Sequence, residues 1–434
     1  MTSIARRSSA AVAAVAVALL LGVGCSTGGD GDSGITLVVA DYGNSGFKAL
    51  LRDYHQAHPR IRVVEHVGDY HGHHEELAEH LDEGDGAADI VGIDESYLPQ
   101  FRDRPEAFLN LLDFGAGELK SRWLGWKWQQ SLSADGTVQI GLGTDVGSLA
   151  VCYRRDLFAG AGLPTSREEV ASLWPTWEAY IEAGHRFEAS GSGAHWLDSS
   201  ARAYNAIVAQ QEIGYYDWDG NVVLASNAGV RQAFDLSTRI IVEGLSGRLR
   251  ANTAPWAAAM RAGTFATMMC PAWGLGQLQQ NAPDTRGKWD LTAVPGGGGN
   301  SGGSFLAIPK QTKHAKEAYQ LATWLTAPNQ QLRIFKETGN LPSQPGLYTD
   351  PSLREVRNEF VNNAPVGQIF GASAERLRPQ YLGPKTSIIR AVIEDTLVQV
   401  ESGAVPGGQA WATALSEASA AIANGPPGHP PRAS

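Results

Sequence analysis

The chain has 434 residues and a formal net charge of −10 at pH 7. It is therefore long enough for two domains or more, and its acidity argues against a nucleic-acid partner, which requires a basic surface. Hydrophobic residues make up 43% of the chain and charged residues 18%, a composition typical of a globular protein and not of a disordered one.

The N-terminus has the layout of an export signal. Arg6 and Arg7 precede an apolar run over residues 10–23, and that run is shorter than the roughly 20 residues that cross a bilayer. The sequence GVGC follows, and it resembles a bacterial lipoprotein signal in which Cys25 becomes the lipidated first residue of the mature protein. Gly22 stands where such signals usually have Leu, so cleavage by an ordinary signal peptidase stays an alternative. Both general and twin-arginine export stay open.

Two further cysteines, Cys152 and Cys270, lie in the apolar, strand-like runs SLAVCY and FATMMC. Such runs are typical of buried strands, so both side chains are expected to be buried. An oxidising compartment also allows the two residues to form a disulfide. Free thiols and a disulfide both stay open.

Strand and helix patterns alternate after the signal. ITLVVADYG, IRVVEHV and ADIVGID are predicted strands, and FKALLRDYHQAH and HEELAEHLDEG between them are predicted helices. This alternation predicts parallel β-α-β units in an open α/β sheet, where ligands bind at the carboxyl ends of the strands. Tyr42 and Asn44 follow the first strand, and Asp94 and Glu95 follow the third.

The pattern changes from TVQIGLGTDVGSLAVCYRRDLF onward. Two strand-like runs flank residues 144–148, and helices are predicted over 167–190 and up to 213, with a loop at Trp196 between them. YYDWDGNVVL is a predicted hairpin and RQAFDLSTRIIVEGL a helix. TFATMMCPAWGLGQLQ is predicted to be a strand that leads into a helix, and WDLTAVP is predicted to be a short strand.

The glycine-rich loop VPGGGGNSGGSFLAIPK contains two motifs that usually carry chemistry. Gly297, Gly299 and Gly302 satisfy the dinucleotide-binding pattern, and Gly299, Ser301 and Gly303 satisfy the nucleophile-elbow pattern of hydrolases. Both motifs require a helix directly after the turn. Here SFLAIP follows, which is a strand pattern ended by proline. We therefore interpret the loop as a flexible crossover between two bodies of the chain.

The segment WDLTAVPGGGGNSGGSFLAIPKQTKHAKEAYQLATWLTAPNQQLRIFKETGNLPS resembles the extracellular solute-binding proteins of ABC transporters, specifically the sugar-binding family 1. HPRIRVVEHV, GAADIVGIDESYLPQF, VGSLAVCYRRDLFAGAGLPT and FATMMCPAWGLG also match in the family's order. The resemblance covers nearly the whole chain after Cys25. It implies an α/β, two-lobed fold of the periplasmic-binding-protein type II, with the ligand cleft between the lobes and no catalytic activity.

The resemblance also implies a division of the chain. A signal peptide over 1–24 and a lipidated, flexible linker over 25–34 precede a first lobe formed by 35–145 and 300–348 and a second lobe formed by 146–295 and 353–425; a disordered tail over 426–434 follows. Crossovers are expected at 145–148, 296–303 and 348–353. The first two are rich in small residues, as hinges require.

Sugar recognition combines an aromatic ring that stacks on the sugar with polar groups that bind its hydroxyls. The family pattern places Trp273 as the stacking residue and Asp145 as a cleft acid, with core packing and turn capping as their respective alternatives. Trp196 is a second aromatic candidate, and packing is its alternative. The remaining candidates are the strand-end residues Tyr42, Asn44, Asp94 and Glu95 and the second-crossover residues Gly303 and Ser304.

The implied partners are a sugar or oligosaccharide, the transmembrane permease subunits of an ABC transporter, and the outer face of the cell membrane through a lipid on Cys25. A monomer without cofactor, metal or nucleic acid is expected. The sequence HGHHEE makes zinc an alternative ligand, and a polyol or peptide is another. The carboxylate pairs of DESY and YYDWDG suit glycoside hydrolysis, but no nucleophile and base accompany them in a consistent context.

Overall fold

A computed structural model of the protein describes residues 34–424. The predicted signal peptide, Cys25 and the predicted tail over 426–434 lie outside these residues. Within 34–424, every helix is either too short or too polar to cross a membrane.

The strands are short and widely spaced along the chain. They are β1 (Ile35–Tyr42), β2 (Ile61–Gly68), β3 (Ile90–Asp94), β4 (Gly141–Gly143), β5 (Asp145–Val146), β6 (Leu149–Arg154), β7 (His195–Leu197), β8 (Phe265–Pro271), β9 (Trp289–Ala293), β10 (Ser304–Ala307) and β11 (Leu341–Pro342).

The helices cover the faces of the sheets. They are α1 (Phe47–Ala57), α2 (Tyr70–Glu83), α3 (Leu98–Arg102), α4 (Gly125–Gln130), α5 (Arg155–Gly160), α6 (Arg167–Leu173), α7 (Trp177–Glu188), α8 (Ser200–Val208), α9 (Ala228–Val242), α10 (Ala254–Ala262), α11 (Gly274–Asn281), α12 (Ala315–Leu325), α13 (Pro328–Thr338), α14 (Pro351–Arg354), α15 (Val366–Glu375), α16 (Thr386–Glu401) and α17 (Gly407–Asn424).

The first lobe is built on the five-stranded sheet β2-β1-β3-β10-β4. β1 is parallel to β2 and β3, as the alternating strand and helix patterns predict, whereas β10 runs antiparallel to β3 and β4. Leu37 and Val39 of β1 are fully buried together with Ile90 and Leu306. A segment from far along the chain therefore completes this sheet, and the carboxyl ends of β1 and β3 meet the start of β10.

The second lobe is built on the four-stranded sheet β7-β8-β6-β9, in which β6 is antiparallel to β8 and β9. All residues of β6 are buried, and helices α7, α8, α9, α16 and α17 contribute to the same core. Cys152 on β6 and Cys270 on β8 are fully buried and form a disulfide, which decides between the two alternatives for this pair.

Short crossover segments connect the two sheets. β5 lies in the chain between β4 of the first sheet and β6 of the second. It belongs to neither of these sheets and pairs with β11 in a two-stranded sheet. The glycine-rich loop runs from β9 to β10, and a strand follows it, as predicted.

These two crossovers are hydrogen-bonded to each other. The amide of Gly147 donates to Gly302 O at 3.0 Å, and the amide of Ser301 donates to Gly147 O at 2.8 Å. A Cβ atom on Gly147 would lie 1.9 Å from Ser301 O, so this close approach requires glycine.

Candidate ligand-binding site

Most of the predicted site residues meet where the carboxyl ends of β1 and β3, the second crossover and the start of α11 come together. The residues brought together there are Tyr42, Asp94, Glu95, Asp145, Trp273, Gly303 and Ser304. Asn44 lies at the edge of this group, and Trp196 lies outside it.

We call Tyr42, Tyr70, Asp94 and Tyr97 of the first lobe the first-lobe wall, and Asp94 lies at its centre. Its Oδ1 accepts hydrogen bonds from the hydroxyl of Tyr70 at 2.9 Å and from the amide of Ser96 at 2.8 Å. Its Oδ2 lies 3.4 Å from the hydroxyl of Tyr42, and its own amide donates to His74 Nε2 at 2.9 Å. The carboxylate is buried and held in one orientation, as a hydrogen-bond acceptor for a ligand must be.

Aromatic rings surround this carboxylate. The ring of Tyr70 makes edge contacts with Tyr42 and Tyr97 at centroid distances of 5.5 and 5.4 Å, and His74 stacks on Tyr97 at 4.1 Å. Burial raises the pKa of Tyr97 to about 12, so its hydroxyl keeps its proton at neutral pH. The hydroxyl of Tyr42 lies 2.7 Å from Ser304 Oγ and links the wall to β10. The wall thus presents neutral hydroxyls and apolar rings around one acid.

Glu95 connects the first lobe to the second crossover. Both carboxylate oxygens accept from Asn300 Nδ2, at 2.7 and 2.9 Å, and the amide of Glu95 donates to Gly303 O at 2.8 Å. The fully buried Lys127 places its Nζ 3.6 Å from Glu95 Oε2. Burial raises the pKa of Glu95 to about 7 even though Lys127 opposes the rise. Both oxygens of this carboxyl group are therefore used in contacts with the second crossover.

Asp145 and Gly303 also hold the crossovers in place. Asp145 Oδ1 accepts from the amide of Ser304 and from Thr144 Oγ1, both at 2.9 Å. Both Asp145 and Gly303 are buried, and a Cβ atom on Gly303 would lie 2.5 Å from Asp145 O. Burial raises the pKa of Asp145, and Lys127 works against that rise. These contacts of Asp145 lie within and beside the two crossovers, and its role as a cleft acid or as a capping residue stays a prediction.

Trp273 is the second-lobe residue of the candidate site. It lies between β8 and α11, as the N-cap residue of α11, and its Nε1 donates to Ser301 O at 2.8 Å. A Cβ atom on Gly302 would lie 3.4 Å from Asp94 Oδ2 and 3.8 Å from Trp273 Nε1. The indole is only partly buried and lies close to the acid of the opposite lobe, and its role as a stacking residue stays a prediction.

The prediction for Trp196 is wrong. Its side chain is fully buried in β7, and it stacks on Phe158 at 5.5 Å and contacts Tyr180 at 5.0 Å and Trp174 at 5.7 Å. The packing alternative describes it, and the predicted loop around it is partly a strand.

Asn44 is exposed at the rim of the site. Its carbonyl accepts from Asn340 Nδ2 at 3.0 Å, and its Nδ2 lies 3.8 Å from a Cβ atom built on Gly276 of α11. It therefore marks the edge where the two lobes approach each other.

Sequence reasoning missed three residues of this region. Tyr42 is the last residue of β1 and Tyr70 lies two residues after the end of β2, so the rule that ligands bind at the carboxyl ends of parallel strands would have found Tyr70 as well. Asn300 lies within the glycine-rich loop that was already singled out. Arg390 on α16 donates from Nη1 to Ser96 Oγ at 3.0 Å, and nothing in its helical sequence pattern indicates this contact.

The histidines of HGHHEE support the wall. His73 Nε2 donates to Gly92 O at 2.7 Å, and His74 Nδ1 donates to Tyr70 O at 2.7 Å. Both side chains are buried, and burial lowers the pKa of His74 to about 4. Among residues 34–424, no three His, Cys, Asp or Glu side chains are arranged to hold a metal ion.

The chain is similar to known binding proteins over most of its length. The family described as bacterial extracellular solute-binding protein matches residues 49–357. The arabinooligosaccharide-binding protein of Bacillus subtilis (strain 168) is 22% identical over 351 residues, which cover 77% of this chain and 79% of that protein.

Solved structures give the same result. An extracellular solute-binding protein of family 1 is 40% identical with a TM-score of 0.80, and the match covers 89% of this chain and 99% of that one. The galacto-N-biose-/lacto-N-biose I-binding protein of Bifidobacterium longum is 17% identical with a TM-score of 0.73, over 90% and 98% of the two chains. These likenesses confirm the predicted two-lobed α/β fold. The chain belongs to the bacterial extracellular solute-binding protein family.

Proposed function

We propose that this protein is the extracytoplasmic substrate-binding component of an ABC importer and that it captures a sugar or oligosaccharide and delivers it to the membrane permease. One observation carries the proposal: Trp273 of the second lobe stands opposite the Asp94 and Tyr42 wall of the first lobe, across the second crossover. Relatives that bind arabinooligosaccharides, lactose and lacto-N-biose support a sugar as the ligand.

The residues at this position suit a sugar ring. An indole face packs against the C–H face of a pyranose, and Asp94 accepts hydrogen bonds from its hydroxyls. Each such bond contributes only about 0.5–1.5 kcal/mol, but a buried polar group left without a partner costs more, and this difference gives selectivity. Tyr42 and Ser304 supply hydroxyl groups that act as donor or acceptor.

Capture follows from the two-lobed architecture. A ligand between Trp273 and Asp94 contacts both lobes only when they are close together, so binding shifts the population towards the closed form. The permease then recognises that closed form. The crossovers at 145–148 and 296–303 are the proposed hinges. The proposed first lobe consists of residues 35–145 and 300–348, and the proposed second lobe consists of residues 146–295 and 353–425.

The tether is a further part of the proposal. Lipid chains on Cys25 contribute about 0.8 kcal/mol per buried methylene, which is enough to hold a multiply acylated protein on the outer face of the cell membrane. The protein acts there as a monomer.

The test replaces the stacking side chain. Trp273→Ala should weaken sugar binding at least tenfold by isothermal titration calorimetry while the circular dichroism spectrum stays unchanged, because only a partly exposed ring is lost. Trp218→Ala is the matched control, since Trp218 is 57% exposed on a turn of the second lobe. Equal affinities of the Trp273→Ala variant and the wild type would remove Trp273 from the site.

The alternatives need a ligand screen. Thermal shifts with mono- and oligosaccharides, polyols, peptides and zinc compare the ligand classes directly, and incubation with sugars tests hydrolysis. We expect a response to sugars and no hydrolysis. Stabilisation by polyols, peptides or zinc alone would replace the sugar in the proposal.

A further inference from the structure

Two arginines reach between the lobes beside the candidate site. Arg102, the last residue of α3 in the first lobe, donates from Nη2 to Leu382 O at 3.2 Å and to the hydroxyl of Tyr381 at 3.4 Å in the second lobe. In the opposite direction, Arg390 of the second lobe donates to Ser96 Oγ of the first lobe. We call these two reciprocal contacts the arginine clasp.

Both ends of the clasp are fixed to their own lobes. On the first lobe, Leu98 and Phe101 anchor α3 in the core and are 1% exposed. On the second lobe, Gln380 Nε2 donates to Val208 O and Gln211 O, both at 2.7 Å, directly before Tyr381. The clasp contacts therefore depend on the positions of whole lobes and not on local side-chain mobility.

The environment of Arg102 is unusual for a buried cation. The residue is 9% exposed, and its Nε has no hydrogen-bond partner among the residues that the structure describes. Within residues 34–424 it forms no salt bridge, and its guanidinium lies 5.4 Å from the ring centroid of Tyr381. Burial of a guanidinium without a carboxylate partner is costly. The two hydrogen bonds and the Tyr381 ring outweigh this cost by a small margin in the closed form, and water replaces them when the lobes separate, so the contact favours closure and is weak enough to be reversible.

Arg102 acts on closure without being among the residues proposed to bind the ligand. The observed affinity of a ligand is its affinity for the closed form reduced by the fraction of protein that is closed. We propose that the arginine clasp sets the closed fraction of the ligand-free protein and thereby changes the affinity for every ligand by one common factor. The affinity part rests on the proposed capture function, whereas the effect on lobe closure does not.

The test replaces Arg102 by a side chain of similar length without charge. Arg102→Met should increase the radius of gyration of the ligand-free protein in small-angle X-ray scattering. It should also weaken the binding of all ligands found for the wild type by about the same factor, on the order of tenfold. Arg104→Met is the matched control, since the side chain of Arg104 is 37% exposed and pairs with Asp82 within the first lobe. Its scattering and affinities should equal those of the wild type.

Tyr381→Phe is the second variant, and it removes only the hydroxyl acceptor. It should also increase the radius of gyration of the ligand-free protein and weaken ligand binding, both by less than Arg102→Met does. If Arg102→Met does not fold, the Tyr381→Phe variant alone tests the clasp. Unchanged scattering of the folded variants would overturn the clasp. So would a loss confined to one ligand, because that result indicates direct ligand contact. If no sugar binds to the wild type, the proposed function fails, but the scattering of the ligand-free protein still tests the clasp.

Discussion

The carboxyl group of Asp41 lies next to Tyr42 of the candidate site, and no cation from residues 34–424 balances it. It is 4% exposed, and its Oδ1 accepts from the amide of Tyr42 at 2.8 Å. Burial raises the pKa of Asp41 from 3.8 to about 7. The folded protein therefore holds this proton more firmly than the unfolded chain, and folding is opposed once the group ionises.

This linkage predicts a pH-dependent effect of Asp41→Asn. Between pH 4 and 7 the folded wild type binds more protons than the unfolded chain, so the Asp41 contribution to stability falls as pH rises and levels off above pH 7. Asparagine keeps the acceptor for Tyr42 and does not ionise. The variant should gain up to about 1.4 kcal/mol over the wild type per pH unit across this interval.

Urea unfolding of both proteins at pH 4, 5.5, 7 and 8.5 measures this difference. The lowered pKa of His74 affects both proteins alike, so it cancels in the comparison. A difference in unfolding free energy that stays constant over this range would show that Asp41 is ionised throughout.

At the scale of elements, local patterns predicted most helices and strands because their apolar spacing is local. Phe47, Leu50, Leu51 and Tyr54 have helical spacing in the sequence, and all four are buried on α1. β7 could not be predicted, because its three residues become a strand only by pairing with β8, which lies about 70 residues further along the chain. For the same reason, the sequence pattern around Trp196 predicts a loop.

The candidate site was predictable where its residues lie at the carboxyl ends of the parallel strands, because ligands bind there in open α/β sheets. That rule gives Tyr42 and Asp94, and it gives Tyr70 when applied to β2. It cannot give Arg390 or Arg102, because their contacts exist only once two separately folded lobes meet. The sequence thus predicts the site residues within each lobe better than the contacts between the two lobes.

The paired crossovers are the element on which hinge movement depends. Gly147→Ala would place a methyl group against the backbone oxygen of Ser301, which cannot move without breaking the two hydrogen bonds between the crossovers. The free energy of unfolding should fall by about 3 kcal/mol, as in other overpacked sites, and ligand affinity should fall with it. Thermal unfolding and calorimetry measure the two effects.

Gly160→Ala is the control for this change. Gly160 lies in α5 with no atom within 4 Å of an added Cβ, so alanine should leave stability equal or slightly higher. If Gly147→Ala were as stable as the wild type, the crossovers would not be coupled as the structure indicates.

At the scale of the whole molecule, each sheet has its own core. Leu37, Ile90 and Leu306 are buried in the first lobe, whereas Val151 and Trp196 belong to a separate cluster in the second. A further cluster packs Phe335 of α13 and Leu341 of β11 against Leu275 of α11, so the cores touch beyond the crossovers. We therefore expect two overlapping transitions in calorimetry and not two well-separated ones. The disulfide lies entirely within the second lobe, where it links residues 118 positions apart.

Removal of this disulfide should therefore affect one lobe only. In the entropic account, a loop of this length stabilises the folded state by about 4–5 kcal/mol, because the bond restricts the unfolded chain. The double variant Cys152→Ala with Cys270→Ala should lower the second-lobe transition by that amount and leave the first-lobe transition in place. Incubation of the folded wild type with a reductant that is removed before heating should change neither transition, since both sulfurs are fully buried in the folded protein. A single transition that shifts as a whole in the variant would mean that the two lobes unfold as one unit, with the crossovers as strong as the cores.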